Sequence, residues 1–144
     1  MRFVRLTVAL AGIAAGLLLA AAPVLAHHSF AAEFDASQPM ELKGTVTKFE
    51  WINPHAWVHI AVKKPDGQVE NWEVEIGPPN SLFRRGWTKN SVPPGTEVVM
   101  FGYRAKDPKM LRLNGQQILL ADGRRLFSGE PGTGAPEGGP PAKK

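Results

Sequence analysis

The chain of 144 residues contains no cysteine. This absence excludes disulfide bonds, thiolate metal sites, a cysteine nucleophile and a lipid-modified cysteine after a leader. Any metal would therefore need histidine, carboxylate or backbone ligands. Motifs for hydrolytic or nucleotide chemistry are also missing, because no Ser-His-Asp spacing, glycine-rich phosphate loop, HExxH or paired-acid motif is present. The sequence gives a hydrolytic enzyme little support.

The N-terminus has the features of an export signal. Arg2 and Arg5 form a basic region before the apolar run from Leu6 to Ala22, and Val24-Leu25-Ala26 resembles a signal-peptidase site. We therefore predict that residues 1–26 are a signal peptide and that the mature protein is periplasmic or secreted, without stable membrane insertion. An uncleaved anchor is the alternative, because about 20 apolar residues can span a bilayer.

Charge gives no argument for nucleic acid as a partner. The 17 basic residues of the full chain outnumber the 13 acidic ones, but cleavage of the leader removes two arginines. The mature chain is therefore nearly neutral, and we expect it to bind no nucleic acid.

Cleavage after Ala26 would create an N-terminus that begins His27-His28. The free amine and the imidazole of His27, with one further imidazole from His28 or His55, would give a three-nitrogen site that suits Cu(II). These three histidines are the candidate metal ligands, and copper is the candidate cofactor. The competing interpretation is an unstructured His-His pair that follows the cleavage site.

Alternating apolar and polar residues predict strands through most of the mature chain. Gly44 inside the first strand indicates a bend or bulge, and Asn114-Gly115 indicates a hairpin turn before the fifth strand. Val58, Ile60 and Val62 are expected to form the core face of the second strand. In the third strand, Trp72, Val74 and Ile76 alternate with Glu73 and Glu75, which are expected on a solvated face. The predicted strands are 40–52, 56–62, 69–76, 96–105, 116–121 and 124–127, with a short helix at 82–85.

This order predicts a mainly β fold: a small OB-like Greek-key barrel of five to six strands, with one short helix between strands three and four. A six-stranded β-sandwich is the alternative, since the same strands would serve. The folded domain is predicted to span residues 27–127. From Ser128 onward nine of seventeen residues are glycine or proline, so residues 128–144 are predicted to be a disordered tail.

The segment from Trp51 to Ile60, WINPHAWVHI, concentrates aromatic and histidine side chains. His55 and His59 lie about 13 Å apart if the strand is regular, so one metal would not bind both. A purely structural interpretation is that the tryptophans only pack the core and that Asn53 caps the turn at Pro54. The candidate ligand-binding residues are Trp51, Asn53, His55, Trp57 and His59.

Four stretches carry a family resemblance: HHSFAAEFD, LKGTVTKFEWINPHAW, NWEVEIGPPNSLFRRGW and GTEVVMFGYRAKD. The chain from Ala26 to Phe127 resembles a family of small exported bacterial proteins that carries only a domain-of-unknown-function label. The resemblance implies a periplasmic, mainly β, OB-like single domain, and it implies no particular reaction.

Together these features predict a non-enzymatic periplasmic module that binds a small molecule or a partner protein. The alternative is a copper-binding protein that uses the processed His27 with a further histidine.

Overall fold

The computed structural model describes residues 30–130 and 133–136. The predicted signal peptide lies outside these residues, as do His27 and His28. None of the helices in the described part has the length and apolarity needed to cross a bilayer. The elements are α1 (Phe30–Glu33), β1 (Phe34–Glu50), β2 (Trp57–Lys63), β3 (Val69–Glu75), α2 (Pro79–Arg84), β4 (Glu97–Ala105), β5 (Arg112–Leu120) and β6 (Arg125–Phe127).

The six described strands form one sheet in the order β3-β2-β1-β4-β5-β6. Neighbours in this order are antiparallel, and β3 also pairs with β5 in parallel, so the hydrogen bonds close into a ring. The prediction of a mainly β fold is confirmed. The short helix α2 lies between the third and fourth strands as predicted, but it spans Pro79–Arg84 rather than 82–85.

The core inside the ring is formed by alternate residues of the strands, those whose side chains point inward. Val58 and Ile60 of β2 and Val74 of β3 are fully buried, while their sequence neighbours face outward or lie partly exposed. Trp87, which follows α2, is also fully buried, and its Nε1 donates a hydrogen bond of 3.0 Å to the carbonyl of Phe127. The predicted core face of the second strand is therefore confirmed at Val58 and Ile60, whereas Val62 is only partly buried. The alternating apolar set of the third strand, Trp72, Val74 and Ile76, is buried.

A second apolar cluster surrounds α1. The ring of Phe30 stacks on Phe34 at 5.8 Å between centroids and meets the edge of Tyr103 at 5.5 Å. These ring contacts hold α1 against β4. The first strand, however, begins at Phe34 rather than at the predicted Met40, because Phe34 already pairs with Ala105 of β4.

The predicted hairpin at Asn114-Gly115 is wrong, because both residues lie inside β5. Gly115 pairs with Gly102 of β4, and a Cβ atom at Gly115 would collide with the side chains of Val74 and Ile76. Close packing of β5 against β3, rather than a turn, therefore explains this glycine.

The irregularity predicted near Gly44 lies slightly later in β1. The register of β1 with β2 shifts between Val46 and Lys48. Gly44 itself is needed for close approach, since a Cβ atom there would lie 2.5 Å from the carbonyl oxygen of Ala61.

Contacts with the barrel continue beyond the predicted boundary at Phe127. Ser128 is fully buried, and its amide donates a hydrogen bond of 2.9 Å to the carbonyl of Gln116. Its own carbonyl accepts a hydrogen bond of 2.8 Å from the amide of Gly77. We call residues Ser128–Glu130 the C-terminal strap.

Trp87→Ala is expected to destabilise the fold by about 3–5 kcal/mol, because it removes the largest fully buried side chain and leaves a cavity. Urea unfolding would measure the loss. Phe83→Ala is the matched control: this aromatic residue in α2 is 68% exposed, so its loss should change stability by less than about 0.5 kcal/mol. Equal effects of the two substitutions would contradict the assignment of Trp87 to the core.

Candidate functional site

The segment that leads from β1 into β2 places His55 beside Glu75, the last residue of β3. It contains a cis peptide between Asn53 and Pro54. Directly after it, Ala56 is fully buried and joins the β2–β3 pairing, since its carbonyl accepts a hydrogen bond of 2.9 Å from the amide of Ile76. The buried Ala56 therefore fixes the backbone on which the His55 side chain stands.

The imidazole of His55 lies between two carboxylates. Its Nδ1 contacts Oε1 of Glu75 in β3, and its Nε2 lies 2.9 Å from Oε2 of Glu130 in the C-terminal strap. The side chain of His55 is only 15% exposed. This cluster therefore connects three parts of the chain: the β1–β2 loop, β3 and the strap.

Glu75 is a buried acid, which corrects the expectation of a solvated face at this position. Burial raises the pKa of Glu75, and the nearby charge of Glu33 acts in the same direction. The positive charges of His55 and Arg112 oppose this shift. The pKa is raised because desolvation of the charged form outweighs these attractions.

His59 has a different carboxylate partner in a more open environment. Its Nε2 lies 2.8 Å from Oε2 of Glu50, and Lys48 contacts the other oxygen of the same carboxylate. Hydrogen bonds from Lys48 and then from His59 lower the pKa of Glu50. The spacing of His55 and His59 predicts that one metal would not bind both. In the structure the two imidazoles contact different carboxylates.

Trp57 faces outward from β2 and is covered in part by a guanidinium group. The Cζ of Arg112 lies 4.9 Å from the centre of the Trp57 ring. Two nitrogens of Arg112, Nε and an Nη, lie 3.2 and 2.7 Å from one oxygen of Glu73. Parallel pairing of β3 with β5 places Glu73 opposite Arg112, so the closure of the ring builds this stack.

Two depressions border the Trp57–Arg112 stack, and Arg112 contributes to both. The loop depression is lined by Glu33, Ile52, Asn53, Pro54, His55, Trp57, Glu75 and Arg112. The strand depression is lined by His59, Asn71, Trp72, Glu73, Met110, Leu111 and Arg112. Four of the five predicted ligand-binding residues therefore line one surface.

The exception is Trp51, which packs against the core. Its ring meets the edge of Phe49 at 5.7 Å, and Phe49 in turn contacts Trp87. Trp72 and Trp87 are also core residues. The packing interpretation therefore describes three of the tryptophans, whereas Trp57 lies at the surface with the depressions.

Within residues 30–130 and 133–136, no group of three or more histidine and acidic side chains has an arrangement that could hold a metal ion. His55 is the predicted ligand that falls in this range, and both of its ring nitrogens already face carboxylates. A metal at His55 would have to displace Glu75 or Glu130.

The partners of the histidines and of Trp57 were not predicted from the sequence; they are Glu50, Glu75, Glu130 and Arg112. Glu75 could have been found from the hairpin, because its register places it opposite Trp57, two residues after His55. Glu130 gave no such signal, since it follows His55 by 75 positions in a segment rich in glycine and proline.

A family model matches residues 14–114 of the chain, which includes α1 and the strands as far as the start of β5. The chain belongs to DUF6152, a family of unknown function. The expected membership in a domain-of-unknown-function family is thus confirmed. No curated protein and no solved structure gives a significant match. The DUF6152 match includes His55, Glu75 and Arg112, whereas Glu130 lies beyond it.

Glu75→Gln is expected to make stability less dependent on pH. Because burial raises the pKa of Glu75, its contribution to folding is full at low pH and is lost as the pH rises through the raised pKa. The wild type should therefore lose stability as the pH rises above the ordinary titration range of a glutamate, and the variant should lose less. The urea midpoint at several pH values measures both profiles.

Glu50→Gln is the control for this prediction. The lowered pKa of Glu50 gives a contribution of opposite sign, which is present above the ordinary carboxyl range and is lost as the pH falls. This variant should keep the alkaline loss of the wild type. Parallel profiles for Glu75→Gln and the wild type would contradict the prediction.

Proposed function

We propose that the protein is an exported, non-enzymatic binding module whose ligand lies on the surface around Trp57. We call this surface the Trp57 face and define it by Asn53, Trp57, His59, Glu73 and Arg112. The observation that carries the proposal is the partly exposed Trp57 ring between two depressions lined by charged and polar side chains. Such a combination of one aromatic surface and a few oriented polar groups is typical of ligand sites.

The order of the strands supports an OB-like barrel, which we include in the proposal. Strands β1, β2 and β3 form a meander, β1 also pairs with β4, and β5 returns to lie parallel to β3. OB-folds bind ligands on the face of strands two and three and with the loops that join strands one to two and four to five. In this chain those positions correspond to Trp57 and Glu73, to Asn53, and to Met110 and Leu111.

The side chains of the Trp57 face favour a polar ligand. The guanidinium of Arg112 and the imidazole of His59 each have a carboxylate partner, which holds them in fixed orientations. Exposed Ile52 and Met110 at the rims add apolar area. A small polar molecule with one flat or apolar side, or a short segment of a partner protein, would match these groups.

Export to the periplasm is the second part of the proposal. It is supported by Arg2 and Arg5, by the apolar run from Leu6 to Ala22 and by the small residues that end at Ala26.

The copper alternative needs the N-terminus. His55 and His59 both have carboxylate partners, so the processed His27 and its neighbour His28 would have to supply the ligands. This alternative predicts a site that depends on correct processing, whereas binding at the Trp57 face does not depend on the N-terminal amine.

The binding proposal predicts that an NMR titration locates a ligand on the Trp57 face. The probes are a panel of monosaccharides, disaccharides, amino acids and dipeptides, added to the isotope-labelled processed protein. At least one class should shift the indole N–H of Trp57 and the amide of His59 in a saturable way. Trp57→Ala should then weaken this binding about tenfold or more, because stacking on an aromatic ring is lost.

Phe83→Ala is the control for this titration, because Phe83 is an exposed aromatic residue of α2 that lines neither depression. It should leave the affinity unchanged. Shifts confined to another surface, or equal affinity in Trp57→Ala and the wild type, would contradict the assignment of the Trp57 face.

The export proposal predicts a mature protein that begins at His27. Intact mass spectrometry of protein secreted with its own leader would establish the first residue. Under the main proposal, Cu(II) binds this protein no more tightly than surface histidines do, and His27→Ala changes nothing. Tight stoichiometric Cu(II) binding that is lost in His27→Ala would replace the binding proposal with the copper alternative.

A further inference from the structure

The environment of His55 differs from that of an ordinary histidine–carboxylate pair, because acids face it from several elements. Glu75 of β3 and Glu130 of the C-terminal strap contact its two nitrogens. Glu33 of α1 lies in the same cavity, and Arg112 of β5 borders the loop depression beside it. Three carboxylates and one guanidinium therefore surround a single imidazole.

The two contacts of His55 require an additional proton. A neutral imidazole has one N–H group and one nitrogen with a lone pair, and an ionised carboxylate can only accept a hydrogen bond. If His55 were neutral and both acids ionised, one nitrogen lone pair would face a carboxylate oxygen. The observed arrangement is satisfied only when one more proton is bound, either on the imidazole or on one of the two carboxyl groups.

The C-terminal strap is fixed firmly at one end and depends on His55 at the other. Ser128 is held by hydrogen bonds to the backbone of Gln116, Gly115 and Gly77. The amide of Gly129 donates a longer hydrogen bond of 3.2 Å to the same Gln116 carbonyl, which is the last backbone link before Glu130. At the far end, the side chain of Glu130 contacts His55, and its carbonyl accepts a hydrogen bond of 3.0 Å from Oγ1 of Thr133.

Thr133, which lies beyond the strap and contacts Glu130, also contacts α1. The amide of Phe30 donates a hydrogen bond of 3.3 Å to the carbonyl of Thr133. Between the strap, α1 and the barrel lies a cavity of about 20 Å³, which is room for one water molecule. The strap in its closed position therefore covers His55 and this cavity.

We propose that His55, Glu75 and Glu130 form a proton-dependent latch that closes the C-terminal strap over the cavity and releases its Glu130 end when the shared proton leaves. Loss of the proton places a lone pair of His55 against a carboxylate, so the contact with Glu130 becomes repulsive. Of the two acids, Glu130 can move to solvent, whereas Glu75 is fixed in β3. This device goes beyond the proposed binding function and does not depend on it.

The direction of the pH response follows from the burial of Glu75. Glu75 is buried and shares one imidazole with a second acid, and its burial with the nearby charge of Glu33 raises its pKa, so a bound proton is favoured. The latch should therefore be closed at lower pH and open as the pH rises. Arg112 opposes the shift from the other side of the loop depression.

Amide hydrogen exchange on the processed full chain tests the latch. Protection is measured by NMR at Phe30 and Gly129, relative to intrinsic exchange, with Ser128 as the internal reference. In the wild type, protection at these two amides should fall about tenfold between about pH 5 and about pH 8, while Ser128 stays protected. The ring nitrogen shifts of His55, followed in the same samples, report its protonation.

Glu130→Gln separates the latch from simple packing. The glutamine amide can donate to the free nitrogen of a neutral His55, so the closed strap no longer needs the additional proton. Protection should then be high and independent of pH. Glu130→Ala should give low protection at every pH, because it removes the contact.

Glu50→Gln is the matched control, since it changes the carboxylate partner of the other histidine, His59. It should reproduce the wild-type profile. Two results would overturn the latch: protection at Phe30 and Gly129 that does not change with pH in the wild type, or a pH dependence in Glu130→Gln equal to that of the wild type.

Discussion

The parallel hydrogen bonds between β3 and β5 are the contact on which the rest of the structure depends. They close the sheet into a ring and set Glu73 opposite Arg112. This register brings the guanidinium of Arg112 over Trp57, which belongs to neither of the two strands. The ring closes tightly because Gly115 has no side chain where β5 passes the inward face of β3. The Trp57 face therefore forms because the pairing of β3 with β5 closes the sheet into a ring.

Because side chains alternate along a strand, one short strand contributes residues both to the core and to the surface site. In β2, Val58 and Ile60 are buried in the core, whereas Trp57 and His59 point to the two depressions. Because neighbouring residues lie on opposite faces, an outward side chain can change without altering the volume of the core. Glu75 departs from this division, since it belongs to the outward set and is nevertheless buried.

The sequence predicted the parts of the structure that depend on local pattern. The period-two alternation of Val58, Ile60 and Val74 identified core positions of β2 and β3, because one face of each strand is buried. The same reasoning failed at Asn114-Gly115, where a local turn signal was overridden by packing against β3. Contacts between distant parts of the chain, such as His55 with Glu130, leave no periodic signal and could not be predicted.

Two histidine–carboxylate pairs, His59 with Glu50 and His55 with Glu75, differ in burial, and burial shifts the carboxyl pKa values in opposite directions. Glu50 accepts hydrogen bonds from Lys48 and His59, so its negative charge is matched and its pKa is lowered. Glu75 shares His55 with a second acid and is desolvated, so its pKa is raised. The first pair is satisfied without an additional proton and the second is not. In the latch that we propose, the protonation of His55 is coupled to the position of the acid outside the sheet, which is Glu130 of the C-terminal strap.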